Sequence, residues 1–292
     1  MQVIFELDDD ESKWWDHKIK KFRELHVKAP VEYLKLFIAS TNFDNSIIET
    51  NPSEFIRVTR EGCWDLYIKD EMKFHSEVIT SLIKEREIPM SFLKEIFSEE
   101  SINDIISTQD KNEIYIKLSQ KIGDFSGRVM PYFYDLSLST TNSRRSRAGK
   151  TFEAIIEYII TEFYHYPFEN QTRLGGSFYK ETKLKKIVDG IIPGGEMYST
   201  NRTRCLIITM KTTLRERWGE VVEELNRTNI PAIHLLTLDE NISGSMLDTM
   251  KNHNIILVVP DRVKNEFKDF KNLMGFNDFF NKEIPHYLSY WK

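Results

Sequence analysis

Cysteine is scarce in this chain, with Cys63 and Cys205 the only two in 292 residues. Two cysteines exclude a disulfide framework, and their apolar surroundings read as reduced, buried thiols. Long hydrophobic runs are missing as well. No apolar segment reaches the roughly 20 residues that a membrane-spanning helix needs. The N-terminus, MQVIFELDDDE, is acidic and lacks the basic start of a secretory signal. A cytoplasmic protein is the expectation, with no membrane partner. There is no internal repeat, no low-complexity tract and no excess of positive charge. A net charge of -5 and a pI of about 5.9 argue against a strongly basic nucleic-acid coat protein.

What is present is an ordinary globular composition, 40% hydrophobic and 29% charged. The length suits one large domain, or a main domain with a smaller one attached. The charge is unevenly spread. Residues 140–230 hold 15 Lys+Arg against 11 Asp+Glu, so this segment is +4 and the remainder -9. A locally basic stretch in an acidic chain can steer a polyanion to one face.

Periodicity divides the chain near residue 135. Residues 1–135 read as a mainly helical region. DESKWWDHKIKKFRELHV, PVEYLKLFIAST, HSEVITSLIKERE and PMSFLKEIFSEESINDIIS all have helical patterns. FIRVTREGCWDLYI is ambiguous between helix and strand. LSLSTTNSRRSRAGK marks a shift to a polar, cationic stretch. It reads either as a solvated linker or as a phosphate-contacting segment through Arg144, Arg145, Arg147 and Lys150.

Residues 136–292 then alternate helices with short apolar strands. GKTFEAIIEYIITEFYHY is a helix with Phe152, Ile155, Ile156, Ile159 and Ile160 as its apolar stripe. KLKKIVDGIIPGG, RCLIITMK, PAIHLLTL and NIILVVP are strands, the last two apolar enough to be buried on both faces. This order predicts an α/β core with a mixed sheet flanked by helices.

Three features carry chemistry. Asp189 interrupts an apolar strand, where a carboxylate needs hydrogen bonds, a cation or a metal; a turn aspartate before Gly190 is the plainer reading. Lys211 ends the next strand, with Thr209 on the same face two residues earlier. A strand carboxylate followed by a lysine at the end of a neighbouring strand matches the PD-(D/E)xK nuclease pattern. Its second acid is absent, because Thr209 stands in that place. Projecting the next helix at about 100° per residue puts Glu223 opposite the stripe of Leu214, Trp218, Val221, Val222 and Leu225. Glu224 falls on the flank, which makes it the better second acid and Glu223 the fallback. Glu153 lies beside the stripe of its own helix. A first-turn glutamate stabilising the helix N-terminus is its plainer reading.

Arg215, Glu216 and Arg217 open the helix after Lys211. Arginine can donate two hydrogen bonds to guanine, and glutamate can accept from cytosine. The triplet therefore has the chemistry to read adjacent G·C pairs, although alone it is common helix surface charge. Trp14, Trp15 and Trp64 could stack on bases, but large aromatics more often belong to cores.

RAGKTFE, VDGIIP and KTTLRERWGEVVEE, in this order, resemble the type II restriction endonucleases of the CCGG branch, the group around EcoRII, SsoII and NgoMIV. The resemblance spans about residues 144–227. It implies a restriction-endonuclease-like core over residues 136–292 of the PD-(D/E)xK superfamily. It also implies Asp189, Lys211, Glu224 and Glu153 as catalytic residues, with Asp189 and Glu224 holding Mg²⁺. Arg215, Glu216 and Arg217 would read the base pairs. The implied reaction is cleavage of double-stranded DNA at a palindrome with a CC/GG core, leaving 5′ overhangs. The implied assembly is a homodimer, with residues 1–135 open to dimerisation or flanking-DNA contacts. Val188 stands where relatives often carry proline, and Gly219 where they often carry a longer polar residue. A repair nuclease reading DNA structure, or a sequence-specific binder that does not cleave, is the competing expectation.

Overall fold

The computed structural model describes residues 6–41, 46–184, 188–214, 218–228 and 230–292, without the side chain of Glu224. The chain forms two compact units: residues 1–29 with 64–146, and residues 30–63 with 147–292. Two long helices pass from one unit to the other.

The described elements of the N-terminal part are all helices: α1 (Asp9–His26), α2 (Pro30–Ser40), α3 (Ser46–Thr50), α4 (Pro52–Glu85), α5 (Glu87–Ile96), α6 (Glu99–Ser107) and α7 (Lys111–Arg128). The ambiguous FIRVTREGCWDLYI is helix, lying wholly within α4. Its β-branched and aromatic residues suggested a strand, but Phe55, Thr59, Cys63 and Tyr67 are buried at every fourth position. That spacing belongs to a helix face. PMSFLKEIFSEESINDIIS divides into α5 and α6, with Ser98 capping the second through Ser101 N–H.

The polar stretch 136–150 is not a linker. It is the middle of α8 (Met130–Glu157). Ser, Thr and Asn are weak helix formers, yet tertiary contacts hold them in place. Leu136 and Thr140 are buried one turn apart, and His75 Nε2 lies 2.9 Å from Thr140 Oγ1. One turn further, Arg144 pairs with the buried carboxylate of Glu71.

After α8 a π-helical turn (Tyr158–Phe163) carries the Ile159 and Ile160 end of the predicted stripe. Phe152, Ile155, Ile156, Ile159 and Ile160 are all fully buried, as the periodicity predicts. The sheet follows: β1 (Glu169–Asn170), β2 (Gly190–Ile192), β3 (Leu206–Lys211), β4 (Ile233–Thr237), β5 (Ile255–Val259) and β6 (Leu273–Gly275), in that spatial order. β1, β2 and β3 are antiparallel neighbours, whereas β3 to β6 run parallel. The sheet is mixed, as expected.

α9 (Gln171–Thr182) and α10 (Gly195–Asn201) lie between the antiparallel strands, and α11 (Trp218–Thr228), α12 (Gly244–Asn252) and α13 (Asp261–Glu266) between the parallel ones. Parallel strands require such crossovers. β4 is buried along its whole length. One sheet face packs Ile191, Ile207, Leu235 and Leu257 against Val221 and Leu225 of α11 and Leu247 of α12. On the other face His234 of β4 meets Phe279, Tyr287 and Glu283 of the C-terminal helical segment.

Candidate active site

Lys211 is the last residue of β3, where the sequence places it. Asp189 lies one residue before β2, and its N–H donates to Ile208 O at 2.8 Å, pairing it against β3. Its side chain turns back onto the same strand. Met210 N–H donates to Asp189 Oδ2 at 2.6 Å, and Thr209 Oγ1 lies 3.4 Å from the same oxygen. Gln171 Nε2 donates to Oδ1 at 3.0 Å. Asp189 is therefore not a turn aspartate but a carboxylate gripped at both oxygens. Gly190, next in sequence, has a packing reason. A Cβ there would lie 2.1 Å from the Phe168 ring and 3.2 Å from Glu169 O.

Burial pushes the Asp189 carboxyl up to about 7, and the nearby Glu153 adds to this. Met210 N–H, Lys211 and Thr209 oppose the rise. Burial likewise pushes Glu153 above the usual carboxylate range, with Glu157 adding repulsion while Lys211 and Lys150 pull the other way. Glu153, Asp189 and Lys211 thus share one electrostatic site, built from α8, the start of β2 and the end of β3. The helix-cap reading of Glu153 does not hold, because α8 begins at Met130, more than five turns earlier.

Two half-desolvated carboxylates repelling each other fit a divalent cation, which would lower both pKa values. Among the described residues no group of three His, Cys, Asp or Glu side chains is placed to hold a metal. The side chain of Glu224 lies outside them. Its backbone belongs to α11, and Glu223 beside it is exposed, as the projection predicts.

Arg215, Glu216 and Arg217 also lie outside the described residues. Their entry point does not. Leu214 is fully buried, and its N–H donates to Asp239 Oδ2 at 2.8 Å. Asp239 sits in the loop after β4, held by its own N–H to Thr237 Oγ1 at 3.1 Å. No motif marked this aspartate, because only the parallel pairing of β3 with β4 brings it to the start of the triplet.

The four cations of the polar stretch differ. Arg144 is committed to Glu71, which also accepts from Tyr67, and its guanidinium stacks 5.6 Å from the Trp64 ring. Burial raises Glu71, but the hydrogen bonds of Arg144 and Tyr67 outweigh that and hold it below its ordinary value. Arg145 and Lys150 are exposed and Arg147 is half-buried. Lys150 also lies within the field of Glu153. Trp15 is core, with Nε1 donating to Tyr132 O at 2.9 Å. Trp14 stacks on Trp15 and carries Arg86 at 3.8 Å. Trp64 is 43% exposed.

Sequence reasoning missed a polar chain beside the carboxylates. Asn170 Nδ2 donates to both oxygens of Glu157 at 2.9 Å. Asn170 Oδ1 caps α9 by accepting from Thr172 and Arg173 N–H. Gln171, the first residue of α9, is the donor on Asp189. An Asn before a helical pattern is a readable cap signal, but its link to Glu157 is not readable from spacing.

Residues 108–280 match the model of the family described as EcoRII C terminal. Over 270 residues the chain is 32% identical to the type II restriction enzyme SsoII of Shigella sonnei, spanning 91% of this chain and 80% of that enzyme. Over 140 residues it is 27% identical to the type II restriction enzyme EcoRII of Escherichia coli, spanning 47% of this chain and 32% of that enzyme. Among solved structures, metal-depleted Ecl18kI in complex with uncleaved, modified DNA matches with a TM-score of 0.73 at 28% identity, covering 98% of this chain and 86% of that one. A complex of the restriction endonuclease PspGI with substrate DNA matches at 0.58 and 18% identity, over 90% and 94% of the two chains, a likeness of fold. No described helix is long and apolar enough to cross a membrane. With a family match over more than half its length and a relative aligned along nearly all of it, the chain belongs to the EcoRII C-terminal family of type II restriction endonucleases, which are site-specific deoxyribonucleases.

Proposed function

We propose that this enzyme cleaves both strands of double-stranded DNA at a palindrome with a CC/GG core, using Mg²⁺ and leaving 5′ overhangs. The observation that carries the reading is the convergence of Glu153, Asp189 and Lys211 in one electrostatic site. A nuclease must place a cation binder and a cationic side chain at one phosphate, and these three residues supply both.

Asp189 and Glu224 are the proposed Mg²⁺ ligands, and Glu153 adjoins them. When bound, a divalent cation supplies Lewis-acid charge at the scissile phosphate. Lys211 offsets the charge that develops on the non-bridging oxygens as water attacks phosphorus in line. Its ammonium stands on a rigid strand, so little reorganisation is needed. Glu153, made more basic by its burial, accepts the proton of the attacking water. The bond from phosphorus to the 3′ oxygen breaks, leaving 5′-phosphate and 3′-hydroxyl ends.

Arg215, Glu216 and Arg217 read the adjacent G·C pairs of each half-site by the pairings that suit their side chains. A palindrome calls for a two-fold homodimer, one site per strand. Residues 136–292 serve as the catalytic core, and residues 1–135 serve dimerisation or flanking-DNA contacts. Arg145 and Lys150, both exposed, are better placed than Arg144 to reach a phosphate, since Arg144 is already engaged by Glu71.

The test is digestion of a sequenced plasmid with Mg²⁺, beside Lys211→Ala, followed by sequencing of the fragment ends. Discrete fragments sharing a CC…GG palindrome, absent with the variant, are expected. Cleavage without a shared sequence would remove the base-reading role. Intact plasmid in both Mg²⁺ and Mn²⁺ would remove the nuclease reading.

A further inference from the structure

The described carboxylates of the proposed site come from separate elements, the ligand Asp189 from the residue before β2 and its neighbour Glu153 from α8. A hydrogen-bonded chain links their supports. Glu157 lies one turn after Glu153 and accepts from the Asn170 amide nitrogen, at 2.9 Å to each oxygen. Asn170 pairs with Gly190 in the antiparallel register of β1 and β2. Gln171 directly follows β1 and Asp189 directly precedes β2, and Gln171 Nε2 reaches Asp189 Oδ1 at 3.0 Å.

The stereochemistry at Asp189 gives this contact a purpose. A carboxylate oxygen offers about two lone-pair sites. Oδ2 already accepts from Met210 N–H and faces Thr209 Oγ1. Among the described residues Gln171 is the donor on Oδ1, which leaves a second lone-pair site there with no described donor. Without the Gln171 donor the carboxylate could turn about its terminal torsion, which is broad and soft.

We propose that Gln171 is a positioning residue. It fixes the rotation of the Asp189 carboxylate so that the second lone-pair site on Oδ1 faces the proposed cation position, and the Glu157–Asn170 clamp sets where Gln171 stands. This rests on the nuclease reading of the same site. Groups that orient a metal ligand typically influence metal affinity or activity by about 10–100-fold.

Gln171→Leu keeps the bulk and removes the donor, whereas Gln171→Glu sets an anion against Asp189. Two readouts separate positioning from support of the fold. One is Mn²⁺ binding by the full-length, DNA-free protein, read by electron paramagnetic resonance. The other is the metal concentration giving half-maximal single-turnover cleavage of a plasmid. Gln171→Leu is expected to weaken both by about tenfold, and Gln171→Glu by more, consistent with orienting groups in metal sites. DNA affinity in chelator should stay unchanged for Gln171→Leu. A wild-type Mn²⁺ affinity and metal requirement in Gln171→Leu overturns the inference and leaves the nuclease reading intact. So does a lowered rate with unchanged metal dependence, since that marks a structural role. A wild-type protein that neither binds Mn²⁺ nor cleaves removes both.

Discussion

Asp189→Asn should make the metal-free protein more stable at alkaline pH. This is an unusual direction, since most substitutions at a partly buried polar position destabilise. The reasoning starts from the shape of the site. Asn matches Asp in size, and its Oδ1 can accept from Met210 N–H. Its Nδ2 then faces the Gln171 amide, so the Met210 bond survives, the Gln171 bond is weakened and the charge is lost. That charge is unfavourable in the folded protein, because burial and Glu153 raise the carboxyl from 3.8 to about 7. At about 1.4 kcal/mol per pH unit, the upper bound is ~4 kcal/mol. Asp189 keeps some contact with solvent, which screens the charge and brings the expectation to ~2 kcal/mol.

The pH window follows from the sign. Below about pH 4 the carboxyl is protonated in both folded and unfolded states, and the two proteins should match. Between about pH 4 and 7 the unfolded chain releases a proton that the folded one retains, so wild-type stability falls relative to the variant. Above about pH 7 the gap is constant. Thermal unfolding in EDTA at pH 4 and pH 8 tests this. A Tm higher by roughly 4–8 °C for the variant is expected at pH 8 only. Adding Mn²⁺ should raise the wild-type Tm and leave the variant unmoved. A variant equal to or less stable than wild type at pH 8 in chelator would refute the argument. Asp189 would then be a structural residue, at ease with its charge.

Lys211→Ala should lower single-turnover cleavage by about 10²–10³-fold, the usual cost of removing one charge-stabilising donor. DNA affinity in Ca²⁺ should change little, measured by gel retention. Arg215→Ala or Arg217→Ala should each weaken cognate binding by about 1–3 kcal/mol and relax the base preference, read by competition between cognate and single-mismatch duplexes. Asp239→Ala frees Leu214 N–H, the last described anchor before that triplet. It should widen cleavage to near-cognate sites while leaving the metal requirement at the wild-type value; unaltered fidelity would show the anchor to be dispensable. Gly190→Ala should cut stability by more than about 1 kcal/mol, because its Cβ meets the Phe168 ring. An unchanged denaturant midpoint would contradict that packing.

The sequence by itself determined the layout of the core. Continuous apolar runs such as Ile255–Val259 suit only strands buried on both faces, and the Phe152–Ile160 stripe has the period of a helix. It also singled out Asp189 and Lys211, a carboxylate amid isoleucines and a lysine ending an apolar strand, as the pair that fits the PD-(D/E)xK pattern. Tertiary structure decided the rest. Local propensity left FIRVTREGCWDLYI ambiguous and is weak for helix in the Ser/Thr/Asn stretch, and packing at every fourth residue decided both. Arg144 read as a free cation until folding set Glu71 beside it. Asn170 carries only a cap signal and Gln171 and Asp239 none, because the partners they hold at the site are 13 to 25 residues away in sequence. Strand order and register alone bring them together. Periodicity reports which face of an element is apolar, whereas a site depends on which elements meet at one end of the sheet, and that is a property of the packed chain.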